Sequence, residues 1–171
     1  MKEVNVNIKH HSGIYTLESR QNLNAEIDEA WEFFSDPSRL ADITPSHMGF
    51  KITSGDPGKM YRGQIISYRI GILPLVKSNW VTEITAVVPQ SYFIDEQRSG
   101  PYSIWHHEHH FTITEEGLEI YDKVSYKIPF GFLGRLMHQL FIKRKLLSIF
   151  GYRYRLLDEV FNKRSQKSKI S

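Results

Sequence analysis

The chain has 171 residues, 40% of them hydrophobic and 24% charged, which is ordinary for one globular domain with its own core. It has no cysteine, which excludes disulfides, thiolate catalysis and cysteine-ligated metals. Ten Lys/Arg residues against two acidic residues give residues 135–171 a charge of +8, which leaves −5 for the remainder. Any argument for an anionic partner must therefore rest on the C-terminal segment.

Residues 1–13 are predicted to be a polar lead-in, because they lack the apolar region of a signal peptide. No stretch approaches 18 uninterrupted apolar residues, so we expect a cytoplasmic protein. Alternating polarity predicts a first strand at 14–23. Asn24 is the predicted N-cap of the next helix, and Asp36 with Pro37 is predicted to begin a second, short helix.

Six further strands are predicted from alternating segments separated by turn residues. They cover residues 48–53, 61–70, 76–88, 92–98, 104–114 and 118–128. Because the connections are mostly short, the strands should form an antiparallel sheet.

The last predicted element is a helix from about Phe132 to Phe161, roughly 45 Å long. Its apolar residues, which include Leu140 and Leu147, recur three, four or seven positions apart. A helix of that length with one apolar face must cover a broad surface, and the curved sheet is the candidate. The sequence thus predicts an α+β fold in the order β-α-α-β6-α, with a curved seven-stranded sheet. We expect one domain over 14–162 and a flexible basic tail over 163–171.

Four stretches of the chain have a familiar pattern: residues 36–45, 80–84, 93–111 and 122–153. The third is the most specific, because it joins the Gly100-Pro101 turn to the alternating run from Trp105 to Phe111. The pattern resembles the START-like, or Bet v 1-like, helix-grip superfamily (SRPBCC), and within it the bacterial polyketide cyclase/dehydrase-like proteins. The resemblance implies the helix-grip fold and an internal ligand pocket. It implies no single reaction, because lipid carriers, receptors and cyclases share this scaffold.

Strand alternation places Trp105, His107, His109 and Phe111 on the inner face of the sheet, and His106 and His110 on the outer face. A hairpin centred near Pro101 would pair three inner residues, Phe93, Asp95 and Gln97, with His109, His107 and Trp105 in that order. A second hairpin turning at Glu116-Gly117 would place His107 opposite Tyr126. The result is a predicted row, Asp95–His107–Tyr126, in which each register is open to a slip of two residues.

This row has three interpretations: a satisfied polar network in the core, a site that orients a ligand, or a catalytic site. For catalysis the candidates are His107 as a base, Asp95 as the carboxylate that fixes it, and Tyr126 as a carbonyl-binding hydroxyl. His107, His109 and Asp95 also have the composition of a two-histidine, one-carboxylate metal site. The spacing alone is weak evidence for a metal, and we expect neither a metal nor a cofactor.

The predicted function is binding or transport of a small hydrophobic or aromatic molecule, such as a lipid, polyketide, quinone or isoprenoid. The alternative is a cyclase, aromatase or dehydratase that uses the same cavity. The inner aromatic residues would line the pocket, or else simply fill the core, and residues 129–131 and 71–75 are candidates for its mouth. The predicted ligand-binding residues are Tyr68, Trp80, Phe93, Asp95, Gln97, Trp105, His107, His109, Phe111, Asp122, Tyr126, Leu140 and Leu147.

The C-terminal helix carries Lys143, Arg144 and Lys145, flanked by Arg135 and Arg153 on its predicted outer face. We expect a solvated helix face, and docking on a membrane or a partner is the alternative. No nucleic-acid partner is expected, because neither a binding motif nor stacking aromatic residues accompany these charges. A monomer and a homodimer both remain open.

Overall fold

The computed structural model describes residues 5–73 and 76–163, which form a single antiparallel sheet of eight strands with helices against it. The strands are β1 (Val6–His11), β2 (Ile14–Leu23), β3 (Lys51–Ile52), β4 (Ile65–Leu73), β5 (Val76–Val88), β6 (Tyr92–Ser99), β7 (Ile104–Thr114) and β8 (Gly117–Lys127). Their order across the sheet is β1-β2-β8-β7-β6-β5-β4-β3. The predicted α+β helix-grip architecture is confirmed.

Helices lie between β2 and β3 and at the end of the described chain. The first group is α1 (Ile27–Phe34) and two 3-10 helices (Pro37–Ala41 and Ser46–Met48). The second is a continuous rod over 131–163, here named the C-terminal helix, in which two α-helical parts alternate with two π-helical turns. These are α2 (Gly131–Met137), the turn His138–Ile142, α3 (Lys143–Leu157) and the turn Asp158–Lys163. None of the helices that the structure describes has the length and hydropathy needed to cross a membrane.

Two local predictions at the N-terminal end need correction. Val6–His11, within the expected polar lead-in, is a strand, so the sheet has eight strands instead of seven. It is an edge strand, and Val6 and Ile8 pack against the core while Asn7 between them is exposed. Helix α1 begins at Ile27 after Glu26, so Asn24 is not its cap. The Asp36 cap is confirmed, because its carboxylate accepts a hydrogen bond from the Ser38 N–H at 2.9 Å.

The core consists of two apolar clusters, and the C-terminal helix contributes to both. Leu146 and Phe150 join the cluster that contains Trp80. Leu157 and Phe161 join the second cluster, with Phe111 among the strand residues. The helix therefore lies across the inner face of the sheet, as the resemblance implied.

The buried face of the C-terminal helix differs from the predicted apolar stripe. Gly134, His138 and Leu146 are buried, whereas Leu140 is 50% exposed. A π turn has more residues per turn than an α-helix, so the turn at His138–Ile142 shifts the buried face relative to regular α spacing. The apolar stripe predicted from three- and four-residue spacing therefore contains leucines that face outward over this part of the helix.

Candidate functional site

A cavity of about 160 Å³ lies between the inner face of the sheet and the C-terminal helix. Most of its wall is apolar and comes from strands β4 to β7, the 3-10 helices and α3. Arg39 lines the cavity and is also exposed, so the cavity reaches the surface beside the first 3-10 helix. The side chains that line it include Tyr68, Trp80, Thr82, Phe93, Asp95, Trp105, His107, His109, Ile149, Phe150 and Arg153.

A polar cluster borders the cavity and is formed by facing residues of three strands, of which Asp95, His107 and His109 line the cavity wall. Nε2 of His109 on β7 lies 3.1 Å from Oδ2 of Asp95 on β6, and Nδ1 of His107 lies 3.4 Å from the same oxygen. On the other side, Nε2 of His107 lies 3.2 Å from Oδ1 of Asp122 on β8. Nδ1 of His109 is 2.8 Å from that oxygen but is poorly aligned for a hydrogen bond, so this contact is electrostatic.

Arg153 on α3 completes this polar cluster from above the sheet. Its Nη1 lies 3.7 Å from Oδ2 of Asp122, and its guanidinium carbon lies 5.0 Å from the centre of the Phe150 ring. The residue is only 6% exposed. The predicted position of Arg153 on the outer face of the helix is therefore wrong. Its spacing from Phe150 and Leu157, three and four residues, was the signal that it shares their buried face.

The pKa directions follow from burial and from the charges within the cluster. Burial lowers the pKa of His107, and repulsion from His109 lowers it further, so the pKa lies below its ordinary value. Burial also opposes protonation of His109, but attraction to Asp122 and the hydrogen bond to Asp95 outweigh burial and raise the pKa. These directions favour a neutral His107 beside a protonated His109.

Both carboxyl groups are stabilised in their ionised form. Burial raises the pKa of Asp95, but the neighbouring His107 and His109 reverse this and lower it below the ordinary value. Burial also raises the pKa of Asp122, but its positive neighbours outweigh burial and lower the pKa well below the ordinary value. Together with Arg153, the cluster therefore has balanced formal charges.

The predicted register is half right. Asp95 pairs with His107 and Phe93 with His109, as expected. In the second hairpin Thr114 pairs with Gly117, so the loop is Glu115-Glu116, one residue earlier than predicted. Because moving a turn by one residue shifts all pairs by two, His107 faces Val124 and His109 faces Asp122.

Tyr126 therefore does not belong to the polar cluster, and the predicted row Asp95–His107–Tyr126 is wrong. Tyr126 pairs with Trp105 and is fully buried, outside the cavity wall. Its hydroxyl lies 2.8 Å from Nε2 of His138 on the C-terminal helix. Burial, with repulsion from nearby Lys143, lowers the pKa of His138 to about 4. This pair joins the sheet to the helix through neutral groups.

Five other predicted ligand-binding residues, Asp122 among them, also lie outside the cavity wall. Gln97 holds the turn between β6 and β7 closed, because its side-chain amide donates to the Tyr102 carbonyl at 2.6 Å. Phe111 is buried in the second core cluster. Leu147 is half-buried, and Leu140 is half-exposed.

The remaining predicted residues are brought together at the cavity. Tyr68 and Trp80 stack at 5.8 Å, and the Tyr68 hydroxyl lies 3.2 Å from the Thr82 hydroxyl. Phe93 stacks on His109 at 4.1 Å. Asp122 is buried behind the two histidines and orients them without lining the cavity.

The outer-face histidines and the expected cavity mouths have other surroundings. His106 and His110 do point outward, and they contact Glu96 and Glu108 at 2.8 and 3.1 Å. Among the residues of the two predicted mouths whose side chains the structure describes, 129–131 and 71, none lines the cavity. Residues 129–131 lie at the start of the C-terminal helix, and residues 71–73 belong to β4, whereas 74 and 75 lie outside the described residues.

The donor atoms of Asp95, His107 and His109 lie within 4.8 Å of one another, close enough to surround one cation. Arg153 interacts electrostatically with Asp95 as well as with Asp122. Because Arg153 and a protonated His109 already balance the two carboxylates, the set fits a proton-sharing cluster better than a divalent metal centre.

No known family matches the chain by sequence, and no curated protein does. Its structure nevertheless resembles solved structures along most of its length. The major latex-like protein 151 of Panax ginseng has a TM-score of 0.64 at 15% identity, over 88% of this chain and 99% of that chain. The di-domain ARO/CYC protein StfQ, from the steffimycin biosynthetic pathway, has a TM-score of 0.66 at 13% identity, over 90% of this chain and 52% of that chain. Protein Ms6760 of Mycobacterium smegmatis has a TM-score of 0.62 at 16% identity, over 89% of this chain and 96% of that chain.

The chain has the helix-grip fold that its resemblance to the START-like, or SRPBCC, superfamily implied. At these identities the likeness concerns the fold, and one fold supports many functions. The chemistry of this helix-grip chain must therefore be argued from its own cavity.

The helix-grip cavity contains hydrogen-bond donors that the described residues do not satisfy. Nε1 of Trp80 and both Nε and Nη1 of Arg153 are buried without a hydrogen-bond partner among those residues. Such groups cost free energy unless an acceptor reaches them. An apolar wall with buried donors is the arrangement that orients a small molecule bearing oxygen acceptors.

Proposed function

We propose that the chain binds a small molecule with an apolar body and a carbonyl or carboxylate oxygen, and that it acts in the cytoplasm as a carrier or sensor. The observation that carries this proposal is the pair of unsatisfied donor residues, Arg153 and Trp80, in a largely apolar cavity. The apolar wall supplies most of the binding free energy, and the donors select and orient the oxygen.

The cavity volume restricts the ligand. An engineered apolar cavity of about 150 Å³ in another protein holds one benzene molecule. The cavity here, about 160 Å³, therefore suits one ring with short substituents, such as a quinone or a small aromatic ketone. A lipid or a multi-ring polyketide would extend past Arg39 to the surface or would displace the C-terminal helix.

A second candidate is an enzyme of the cyclase, aromatase or dehydratase type that uses the same cavity. It is favoured by one observation: His107 lines the cavity, and burial favours its neutral, proton-accepting form, with Nδ1 3.4 Å from Asp95. In such an enzyme His107 would remove a proton from the carbon beside a ligand carbonyl, while Arg153 would stabilise the enolate oxygen.

The two candidates are separated by His107→Ala. In a carrier this change weakens ligand binding modestly, because the apolar wall and Arg153 remain. In a cyclase it abolishes turnover of a polyketide substrate, while binding of that substrate survives. Binding and turnover should both be measured on the same preparation.

The binding proposal is tested with ethylbenzene as the probe and the Trp80 indole N–H signal as the reporter in NMR titrations. Ile149 and Leu147 are both half-buried on α3, and only Ile149 lines the cavity. Ile149→Trp should fill the cavity and abolish the titration, while the matched control Leu147→Trp should titrate like the original chain. An unresponsive Trp80 signal in all three proteins would refute the proposal.

A further inference from the structure

Six large apolar side chains are exposed within twelve residues at the start of the C-terminal helix. They are Phe130 (80% exposed), Phe132 (74%), Leu133 (50%), Leu136 (46%), Leu140 (50%) and Phe141 (50%), here named the apolar patch. Single exposed apolar residues are normal, but a contiguous group on one short segment marks a surface that binds something. The cavity proposal does not use this surface, because none of the six lines the cavity.

The backbone also holds the first of these side chains in an unfavourable conformation. Phe130 has φ of +69°, in the left-handed region, where a side chain costs about 1–2 kcal/mol relative to glycine. It is followed by Gly131, also at positive φ. Strain of this kind persists where the surrounding structure enforces it, and here its result is an aromatic ring presented to solvent.

The charged residues of the segment that bears the apolar patch all have one sign. No acidic residue occurs between Asp122 and Asp158 in the sequence. Over the same segment Arg135, Lys143 and Arg144 are exposed beside the patch on the C-terminal helix. Within the described residues, these three cations have no acidic partner in an ion pair.

We propose that the apolar patch docks the protein on an anionic lipid surface. Its aromatic and aliphatic side chains would enter the headgroup boundary, and the three cations would face the lipid phosphates. A second copy of this chain fits less well, because a two-fold contact would bring the cations of both copies together. A nucleic acid would use the cations but would leave the leucines of the patch without a role.

The test is co-sedimentation of the full chain with vesicles at physiological salt, using phosphatidylcholine alone and phosphatidylcholine mixed with phosphatidylglycerol. We expect binding to the mixed vesicles and little to phosphatidylcholine alone. Phe132→Ser should weaken binding about tenfold, because the free energy of burying a Phe side chain is large enough to change an affinity by that factor. Its control is Ile113→Ser. This change removes an apolar side chain that is 71% exposed near the C-terminal end of β7, outside the apolar patch.

The charge contribution is tested with a double variant, Arg135→Gln with Arg144→Gln. Each basic residue near an anionic membrane strengthens binding about fivefold, so the double variant should bind roughly 25-fold more weakly. The control is Lys59→Gln with Arg62→Gln, two exposed cations outside the patch. All four cations substituted in the two double variants are exposed, so folding should be preserved, as melting curves can verify.

Three results would overturn the proposal. The first is no difference between the two vesicle compositions. The second is equal weakening by the patch variants and their controls. The third is a concentration-dependent dimer that Phe132→Ser dissociates, which would assign the patch to self-association. None of these results bears on ligand binding in the cavity, which the ethylbenzene titration measures separately.

Discussion

Replacing Arg153 by Met is the most informative change to the cavity. Met has a similar length and fills similar space, but it removes every hydrogen-bond donor of the guanidinium. Arg153 is buried, two of its nitrogens have no hydrogen-bond partner among the residues that the structure describes, and its nearest carboxylate oxygen there is 3.7 Å away on Asp122. Asp122 retains contacts with His107 and His109, so we expect the variant to remain folded, with a loss of about 1–3 kcal/mol in the free energy of unfolding.

The effect on binding depends on whether the ligand has an oxygen. A hydrogen bond from a charged donor contributes about 1.5–3 kcal/mol, so acetophenone should bind roughly 10- to 150-fold more weakly to Arg153→Met. Ethylbenzene has nearly the same shape and no acceptor, so its affinity should change less than about threefold. Comparing the two proteins with one probe at a time cancels the hydration free energy of that probe.

Both dissociation constants should be measured by titrating the Trp80 indole N–H signal. Arg155→Met is the matched control, because Arg155 is exposed on the same helix and its loss changes the net charge equally. Donation from Arg153 to the ligand oxygen is refuted if acetophenone and ethylbenzene bind Arg153→Met with equally weakened affinity. It is also refuted if acetophenone binds Arg153→Met as tightly as the original chain.

Three further predictions concern stability. The folded pKa of His138, about 4, lies below the unfolded value near 6.5, so only the unfolded chain gains this proton as pH falls between these values. Its contribution to the free energy of unfolding should fall by about 2 kcal/mol from pH 7 to pH 5, and urea unfolding of His138→Gln should lack that part of the slope. Phe130→Gly should raise the free energy of unfolding by about 1 kcal/mol by relieving the left-handed strain, yet weaken vesicle binding. Gly134→Ala should destabilise by about 2–4 kcal/mol in urea, because its Cβ would overlap the Pro129 carbonyl oxygen.

Each of these predictions has its own contrary result. An unchanged pH slope in His138→Gln would show that His138 takes up its proton equally in the folded and the unfolded chain. A less stable Phe130→Gly would mean that its ring contributes packing that outweighs the strain. A neutral Gly134→Ala would show that the start of the helix shifts freely.

The sheet and its first hairpin were predictable because alternation and turn residues are local signals. The pairing of Asp95 with His107 followed from the Gly100-Pro101 turn alone. The second hairpin was mispredicted because its turn contains two glutamates followed by glycine, and the residue pattern does not say which two form the loop. One residue of uncertainty there placed Tyr126 opposite His107, where Val124 lies, and hid the pairing of Asp122 with His109.

The C-terminal helix shows a different limit. Its existence and length followed from composition and apolar spacing, but its π turn has no signal in the spacing, and the turn decides which leucines are buried. Arg153 was missed because a charged residue is usually assigned to the solvent face. Its pairing with Asp122 depends on contact between the helix and the sheet, which local pattern does not encode.

Whether the cavity holds a ligand is decided by native mass spectrometry of the protein purified from its own host, beside Ile149→Trp prepared in the same way. We predict that the original chain carries a small, oxygen-bearing apolar compound of about one ring, and that the Ile149→Trp protein carries none. A protein that is empty in its host, or a compound retained equally by Ile149→Trp, would contradict ligand binding in the cavity.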